Sequence, residues 1–517
     1  MNLSRAAGVL LPIFSLPGPF NIGCFGNEAV DFARLLRAMD FTYWQILPLN
    51  PPAAGDSPYQ CYSAFAGNPL LIDLRQLVAE GLLKESDLAA LPSPVNAHQC
   101  DYIAAAAVHD RMLRLAYVNC PPARLEKIKS SVRSERPEVL DYALFTAIRE
   151  ANGGLCWNLW PDEGLRLHEE RALARFEAEH AEAIGYQLFC QYWFFHQWLE
   201  LRAAVNALGI RIVGDLPIYV AYDSSDVWAN PEQFELDDDL LPLEVSGVPP
   251  DYFTIDGQLW GNPLFNWDYM AVDGFSWWNS RICASFELFD IMRLDHFRGF
   301  VDYWAVPYGS ATARNGRWRP GPGIALLDSL RKASPHAVLI AEDLGAFADT
   351  AVEDLREKVG LPGMRILQFA FDYRADNVHL PHNYCTNSVI YSGTHDNQTL
   401  LGWLWEADEK TREYGLQYVG LNSECNWGEG GPRSPVIQEF LRIIWQSVAH
   451  TVIVPVQDML GYGSDTRINT PGQASGQWRW RVTEKDLNRI NQKLFRSFNK
   501  LYWRANSTQP LSATPGC

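Results

Sequence analysis

Eight short apolar runs rich in Val, Ile, Leu and Tyr recur along the chain, each bounded by Gly, Pro, Asp or Asn. Such runs are typical of strands buried on both faces of a parallel sheet. Amphipathic helical patterns lie between them, as at 27–39 and 325–333. The alternation predicts an α/β fold, a (β/α)₈ TIM barrel. The predicted strands are 8–16, 41–49, 210–220, 291–297, 337–344, 364–371, 388–394 and 451–458.

The gaps between these strands are uneven, which indicates insertions. The gap between the second and third strands has helical patterns at 97–118, 138–151 and 172–208. We therefore predict that 1–59 begins the catalytic barrel, 60–208 is a mostly helical inserted subdomain and 209–517 completes the barrel. The last part contains a loop region at 223–278, rich in Pro, Gly, Asp and aromatic residues, which we expect to cover a substrate.

Three acids close apolar runs in these strand segments: Asp295 at the end of 291–295, Glu342 at the end of 337–342 and Asp396 at the end of 388–396. A buried charge is costly, so these side chains should emerge at the C-terminal mouth of the barrel, where TIM-barrel active sites lie. Two carboxylates on adjacent strands, roughly 5–5.5 Å apart, can cleave a glycosidic bond with retention, one as nucleophile and one as proton donor. The third can stabilise positive charge. A strand-end cap or a salt bridge explains any one acid equally well; three together favour catalysis.

The neighbours of the acids fit these roles. Arg293 lies two residues before Asp295, so both side chains project from the same strand face, and its cation favours the ionised carboxylate. His395, beside Asp396, can donate a hydrogen bond to a sugar hydroxyl. Asp343 should point away from Glu342, towards a structural role.

Composition narrows the possible partners. The chain has 19 Trp, 21 Tyr and 25 Phe, which suit sugar rings, although any single Trp can equally belong to the core. A formal charge of −18 argues against nucleic acid and against an anionic membrane surface, and no apolar run approaches a membrane span. Ten cysteines without a C-x-x-C pair predict reduced thiols and a cytoplasmic protein. His379 and His382 have ligand-like spacing without suitable partners, so we predict a surface loop and no metal site.

Eight ordered motifs together resemble the signatures of the 4-α-glucanotransferases, also called amylomaltases or disproportionating enzymes, a branch of the α-amylase-like clan. The similarity extends from near the N-terminus to at least Arg481. The motifs are SPYQ at 57–60, GDLPIY at 214–219, GVPPDYF at 247–253, GQLWGNP at 257–263, RLDHFRG at 293–299, AEDLG at 341–345, GTHDN at 393–397 and RINTPG at 467–472.

This resemblance implies particular roles. Asp295 would be the nucleophile, Glu342 the general acid/base and Asp396 the stabiliser of the transition state. The other residues implied to bind the glucan are Tyr59, Asp215, Arg293 and His395 around the cleaved glucose, Tyr252, Phe253, Gln258 and Trp260 in the covering loop, and Asn469. No metal or organic cofactor is implied. The implied partners are α-1,4-glucans, with glucose or another glucan as acceptor.

Two alternatives stay open at this point. An α-amylase-like hydrolase would use the same three acids, although Leu-Pro after Asp215, where α-amylases usually carry Asn-His, favours the transferase branch. A non-catalytic glucan-binding protein on a decayed barrel should have lost one of the acids, and all three are present. The sequence does not determine the oligomeric state.

Overall fold

A computed structural model describes residues 3–53, 55–250, 255–345, 350–473 and 475–506 of the 517-residue chain. Tyr252 and Phe253, predicted to cover the substrate, lie outside the described residues. Within the described ranges the chain forms twelve strands: β1 (Ala6–Leu10), β2 (Tyr43–Gln45), β3 (Arg211–Leu216), β4 (Glu244–Val248), β5 (Gln258–Pro263), β6 (Ile291–Leu294), β7 (Asp302–Pro307), β8 (Arg317–Pro320), β9 (Leu339–Ala341), β10 (Gly363–Ile366), β11 (Ser388–Tyr391) and β12 (Thr451–Pro455).

Eight of these strands close into a parallel barrel in the order β1-β2-β3-β6-β9-β10-β11-β12. Each corresponds to one predicted run, so the TIM-barrel prediction is confirmed. The strands are shorter than the runs because the apolar sequence continues past the hydrogen-bonded ladder. After β2, for example, Ile46, Leu47 and Leu49 are buried at the mouth without belonging to a strand. Buried apolar residues alone therefore do not mark where the ladder ends.

Helices surround the barrel and fill the long connection between β2 and β3. The predicted helix at 138–151 is confirmed, whereas the one at 172–208 is divided at His180. The described residues form α1 (Asn27–Ala38), α2 (Leu74–Ala79), α3 (Glu85–Ala89), α4 (Tyr102–Asn119), α5 (Pro122–Glu135), α6 (Glu138–Ala151), α7 (Glu163–Arg166), α8 (Glu170–Glu179), α9 (Ala181–Ala207), α10 (Ser225–Ala229), α11 (Trp267–Val272), α12 (Ser276–Leu288), α13 (Gly323–Ala333), α14 (Thr350–Lys358), α15 (Leu400–Glu406), α16 (Glu409–Tyr418), α17 (Pro435–Trp445), α18 (Val456–Leu460), α19 (Glu484–Leu487) and α20 (Gln492–Leu501).

The long helix α9 holds the chain that leads from β2 towards the mouth. The side-chain amide of Gln191 both donates to and accepts from the backbone of Gly67, at 2.8 Å each. Gln197 pairs in the same way with the backbone of Asp73. Gly67 admits no side chain, because a Cβ there would lie 2.0 Å from the ring of Phe194. These buried contacts anchor the segment that follows Tyr59.

A second sheet interrupts the region predicted to be a loop. Strands β4 and β5 lie inside 223–278 and join β7 and β8 in a four-stranded antiparallel sheet of order β5-β4-β7-β8. The sequence pattern misses it for two reasons. The strands are short and interrupted by Gly247 and Gly261, and β7 and β8 belong to the connection after β6, so their pairing leaves no local signal.

The two histidines with ligand-like spacing have different environments. The surface-loop prediction is wrong for His379, which is 4% exposed and whose Nδ1 accepts a hydrogen bond from Ile366 N–H at 3.0 Å. His379 thus accepts the hydrogen bond of the last N–H of β10. In the described part of the chain, no helix combines the length and the apolar character needed to cross a bilayer.

Candidate active site

The three predicted acids meet at the C-terminal mouth of the barrel. Asp295 directly follows β6 and Glu342 directly follows β9, and these strands are neighbours. The ladder extends one step beyond the strands: Asp295 N–H donates to Leu216 O at 3.0 Å, and Glu342 N–H donates to Leu294 O at 3.1 Å. Both carboxyl groups are therefore set by strand backbone, which is the most rigid support that a barrel offers. Asp396 follows β11 in a short loop.

Asp295 shares an arginine with a buried acid. In the register of β3 and β6, Asp215 lies opposite Arg293. Arg293 Nη1 donates to the two carboxylate oxygens of Asp215 at 2.8 and 2.7 Å and lies 2.9 Å from Asp295 Oδ1. Burial raises the pKa of Asp295 to about 6, against the opposing effect of Arg293. The sequence predicted the effect of the arginine but not the larger effect of burial; Asp295 is still mostly ionised at neutral pH.

The surroundings of Glu342 favour its protonated form. Burial, together with the negative charge of Asp295, raises the pKa of Glu342 well above its ordinary value despite Arg293. Its Oε2 accepts a hydrogen bond from His296 N–H at 2.6 Å. His296 adopts a left-handed backbone conformation with φ of 47°, which is uncommon outside glycine. An ionised Asp295 beside a protonated Glu342 is the pairing that retaining glycoside cleavage requires.

Asp396 is the most acidic of the three. His395 Nε2 lies 3.1 Å from its Oδ2, and Asn469 Nδ2 donates to its Oδ1 at 2.6 Å. Burial alone would raise the pKa of Asp396, but His395 and Asn469 outweigh burial and lower it to about 2. Arg467 Nη2 donates to the main-chain oxygen of Asp396 at 2.6 Å and fixes the loop. Asp396 therefore offers a permanent negative charge, while direct contact of Asn469 with a glucan stays a prediction.

An aromatic wall lines the site beside Asp396. Tyr59 stacks on His395 with 5.2 Å between the ring centroids, and Trp478 lies 5.6 Å from Tyr59. The hydroxyl of Tyr59 donates to Asp215 Oδ2 at 2.8 Å. Asp215, whose side chain has no exposed surface, thus binds both Tyr59 and Arg293 and fixes their positions. The Nδ1 atom of His395 is buried, and within the described ranges it has no hydrogen-bond partner.

The predicted covering residues Gln258 and Trp260 lie on β5, and Trp260 contacts His296, whose N–H binds Glu342. The indole of Trp260 meets the ring of His296 edge-on at 4.9 Å, and its Nε1 donates to Gln258 Oε1 at 3.1 Å. Gln60, in the segment of Tyr59, donates to Trp260 O at 3.2 Å and accepts from Asn262 Nδ2 at 3.1 Å. Hydrogen bonds therefore join the SPYQ and GQLWGNP segments, both of which were predicted to contact the substrate.

Asp458 is the main residue that sequence reasoning missed. This acid is 1% exposed, its Oδ2 accepts from Ser392 Oγ at 2.5 Å, and its Oδ1 accepts from Leu400 N–H at 2.7 Å. It holds both ends of the loop that carries His395 and Asp396. The signal was available, because Asp458 ends the predicted strand 451–458 as the three catalytic candidates end theirs.

The remaining expectations concern structural acids and metals. Asp343 forms ion pairs with Arg356 and Arg365, at 3.0 and 3.1 Å, which confirms its structural role. Across the ranges that the structure describes, no group of three or more His, Cys, Asp or Glu side chains is arranged to hold a metal ion.

Comparison with known proteins agrees with this geometry. A family model described as 4-alpha-glucanotransferase matches residues 11–487. A 4-alpha-glucanotransferase of Thermus thermophilus is 44% identical over 494 residues, 94% of this chain and 96% of that protein. One of a Synechocystis strain is 43% identical over 491 residues, 94% of this chain and 95% of that protein. The solved amylomaltase of Streptococcus agalactiae, in complex with acarbose, is 38% identical with a TM-score of 0.92 and covers 97% of this chain and 100% of its own.

Proposed function

The chain belongs to the 4-alpha-glucanotransferase family, and from this premise we propose that Asp295, Glu342 and Asp396 carry out its glucan transfer by retaining double displacement. An Asp295 oxygen attacks the anomeric carbon of a donor α-1,4-glucan, the bond from that carbon to the leaving O4 breaks, and Glu342 gives the O4 its proton. The 4-OH of an acceptor then loses its proton to Glu342 and attacks the same carbon, which releases Asp295.

The observation that carries this assignment is the contact of Asp295 with Arg293, at 2.9 Å, next to a partly buried Glu342 at the end of the adjacent strand. Asp295, with a pKa of about 6 beside Arg293, is ionised at neutral pH, while Glu342 has its pKa raised further by burial and by Asp295. Asp396, with a pKa of about 2, supplies negative charge near the cationic transition state. Tyr59, Arg293 and His395 then surround the glucose ring that becomes attached to Asp295.

The pH dependence of kcat/KM should follow from these ionisations. Asp295 must be deprotonated to attack, so activity should fall as pH drops through about 6. Glu342 must be protonated to assist departure of O4, and its raised pKa should place the alkaline limb at a higher pH than an ordinary glutamate would. Initial rates with maltotriose from pH 4 to 10 test this bell-shaped pH dependence of kcat/KM. An acidic limb centred near pH 4 would contradict the raised pKa of Asp295 and remove the support that it gives to this assignment.

Trp260 should favour a glucan acceptor over water. Its indole lies beside His296, whose backbone N–H binds Glu342, so it covers the side on which the acceptor must approach. We expect Trp260→Ala to raise the ratio of hydrolysis to transfer roughly two- to tenfold, as the loss of one aromatic contact of about 0.5–1.5 kcal/mol implies. Free glucose and chain-length products are measured together, with Trp260→Phe as the control that keeps an aromatic cover. An unchanged ratio would remove Trp260 from this role.

Incubation with maltotriose tests the function as a whole. Transfer predicts glucose together with maltodextrins longer than the substrate, and added glucose should be extended as an acceptor. Products that only become shorter would identify an α-amylase-like hydrolase, and binding without turnover would identify a glucan-binding protein. We also propose the cytoplasm as the site of action, since the buried cysteines Cys24, Cys61, Cys100, Cys120 and Cys190 are free thiols; fractionation of the source cells tests this.

A further inference from the structure

Trp405 presents a fixed indole to solvent beside the barrel mouth. It stands at the end of α15 and is 46% exposed. Its Nε1 donates to Gly428 O at 3.0 Å, which fixes one edge of the ring. Gly463 is so close that an added Cβ would lie 2.2 Å from a ring atom, so the ring also rests against the backbone there. The indole is thus held in place while much of its surface stays open.

A line of polar side chains connects this indole with the catalytic loop. Gln398, two residues after Asp396, donates from Nε2 to Glu406 Oε1 at 2.6 Å, and Ser464 Oγ donates to the same oxygen at 3.1 Å. Glu406 adjoins Trp405, and Ser464 lies in the segment that continues to Asn469 at Asp396. Because α15 has seven residues, it spans only about 10 Å. Trp405 is therefore within reach of a chain that extends from the reacting glucose.

We propose that Trp405 is the stacking platform of a remote glucan subsite, with Gln398, Glu406 and Ser464 as partners for sugar hydroxyls. This inference rests on the proposed function, since it assumes that the site holds α-1,4-glucan. The indole supplies a flat apolar surface for a glucose ring, and the neighbouring groups supply hydrogen bonds, the combination that binds a neutral polyhydroxylated chain. Only donors or acceptors long enough to reach Trp405 would gain from it.

A second exposed tryptophan provides a matched control. Trp503 is 84% exposed. Its neighbour Arg504 donates to Ala6 O and His450 O, at 3.3 and 2.9 Å, where β1 and β12 begin. Trp503 therefore lies at the N-terminal end of the barrel, opposite the mouth. Trp503→Ala removes an exposed indole of equal size at a place that a glucan bound at the mouth does not reach.

The test compares kcat/KM for maltotriose with kcat/KM for maltodextrins of ten or more glucose units. Trp405→Ala should lower the value for the long chains about three- to tenfold and leave maltotriose unchanged, with partial recovery in Trp405→Phe. Trp503→Ala should change neither. An equal loss with both substrates would identify a structural role for Trp405, and no loss with either would exclude the subsite. If wild-type protein itself failed to disproportionate maltotriose, the proposed function would fail instead.

Discussion

Replacing Asp295 with asparagine is expected to lower kcat for glucan transfer on the order of 10⁴-fold or more. The amide cannot form the glycosyl ester. Among the residues that the structure describes, Arg293 pairs with one further carboxylate, that of Asp215, whose side chain has no exposed surface. Asparagine is nearly isosteric with aspartate, so Tyr59, His395 and Trp260 should keep their places. Binding of maltodextrin, measured by calorimetry, should therefore change little.

Asp302→Asn provides the control for this substitution. Asp302 lies seven residues further along the chain and pairs with Arg298 at 2.8 Å, with 29% of its side chain exposed. The loss of one such partly exposed ion pair should leave the rate within about threefold of wild type. Activity near the wild-type level in Asp295→Asn would remove Asp295 from the nucleophile's role, and an equal loss in Asp302→Asn would point to damage to the fold.

Replacing Glu342 with glutamine should lower kcat for maltodextrins by about 10²–10⁴-fold, the usual contribution of a positioned acid/base. The defect should depend on the leaving group. α-Maltosyl fluoride needs no proton on departure, so Asp295 should still be glycosylated by this donor at a substantial rate. The second step should then be slow, because no base takes the proton of the acceptor. Azide, which carries no such proton, should restore it.

The measurement is fluoride release and product formation by Glu342→Gln, with and without azide. Formation of an α-configured maltosyl azide would place Glu342 as the acid/base, because the stereochemistry reports retention by double displacement. A variant as defective with the fluoride as with maltotriose, and unresponsive to azide, would contradict this role. In that case Glu342 would act on binding or on the fold.

The barrel and its three acids could be predicted because each leaves a local signal. A buried parallel strand is a continuous apolar run, and a charge at the end of such a run emerges at the mouth. The roles of Asp295, Glu342 and Asp396 then depended on neighbours within two residues and on the resemblance. The four-stranded sheet left no comparable signal, since β7 and β8 lie far along the chain from β4 and β5.

Contacts between segments that lie far apart along the chain could not be predicted from the sequence either. That Arg293 pairs with Asp215 as well as with Asp295 follows from the register of β3 and β6, which no local pattern reveals. The hydrogen bond from His296 N–H to Glu342 joins the ends of two neighbouring strands, which no local pattern reveals either. Asp458 carried the same signal as the three candidate acids, but its role became evident only from its bonds to Ser392 and Leu400.

The most direct test of the mechanism is to trap the glycosyl-enzyme. Glu342→Gln is mixed with α-maltosyl fluoride, quenched in acid and analysed by intact mass and peptide mapping. Our assignment predicts a single added maltosyl group on Asp295, absent from the Asp295→Asn/Glu342→Gln double variant. Fluoride release without an adduct, or an adduct on any other residue, would contradict double displacement through Asp295.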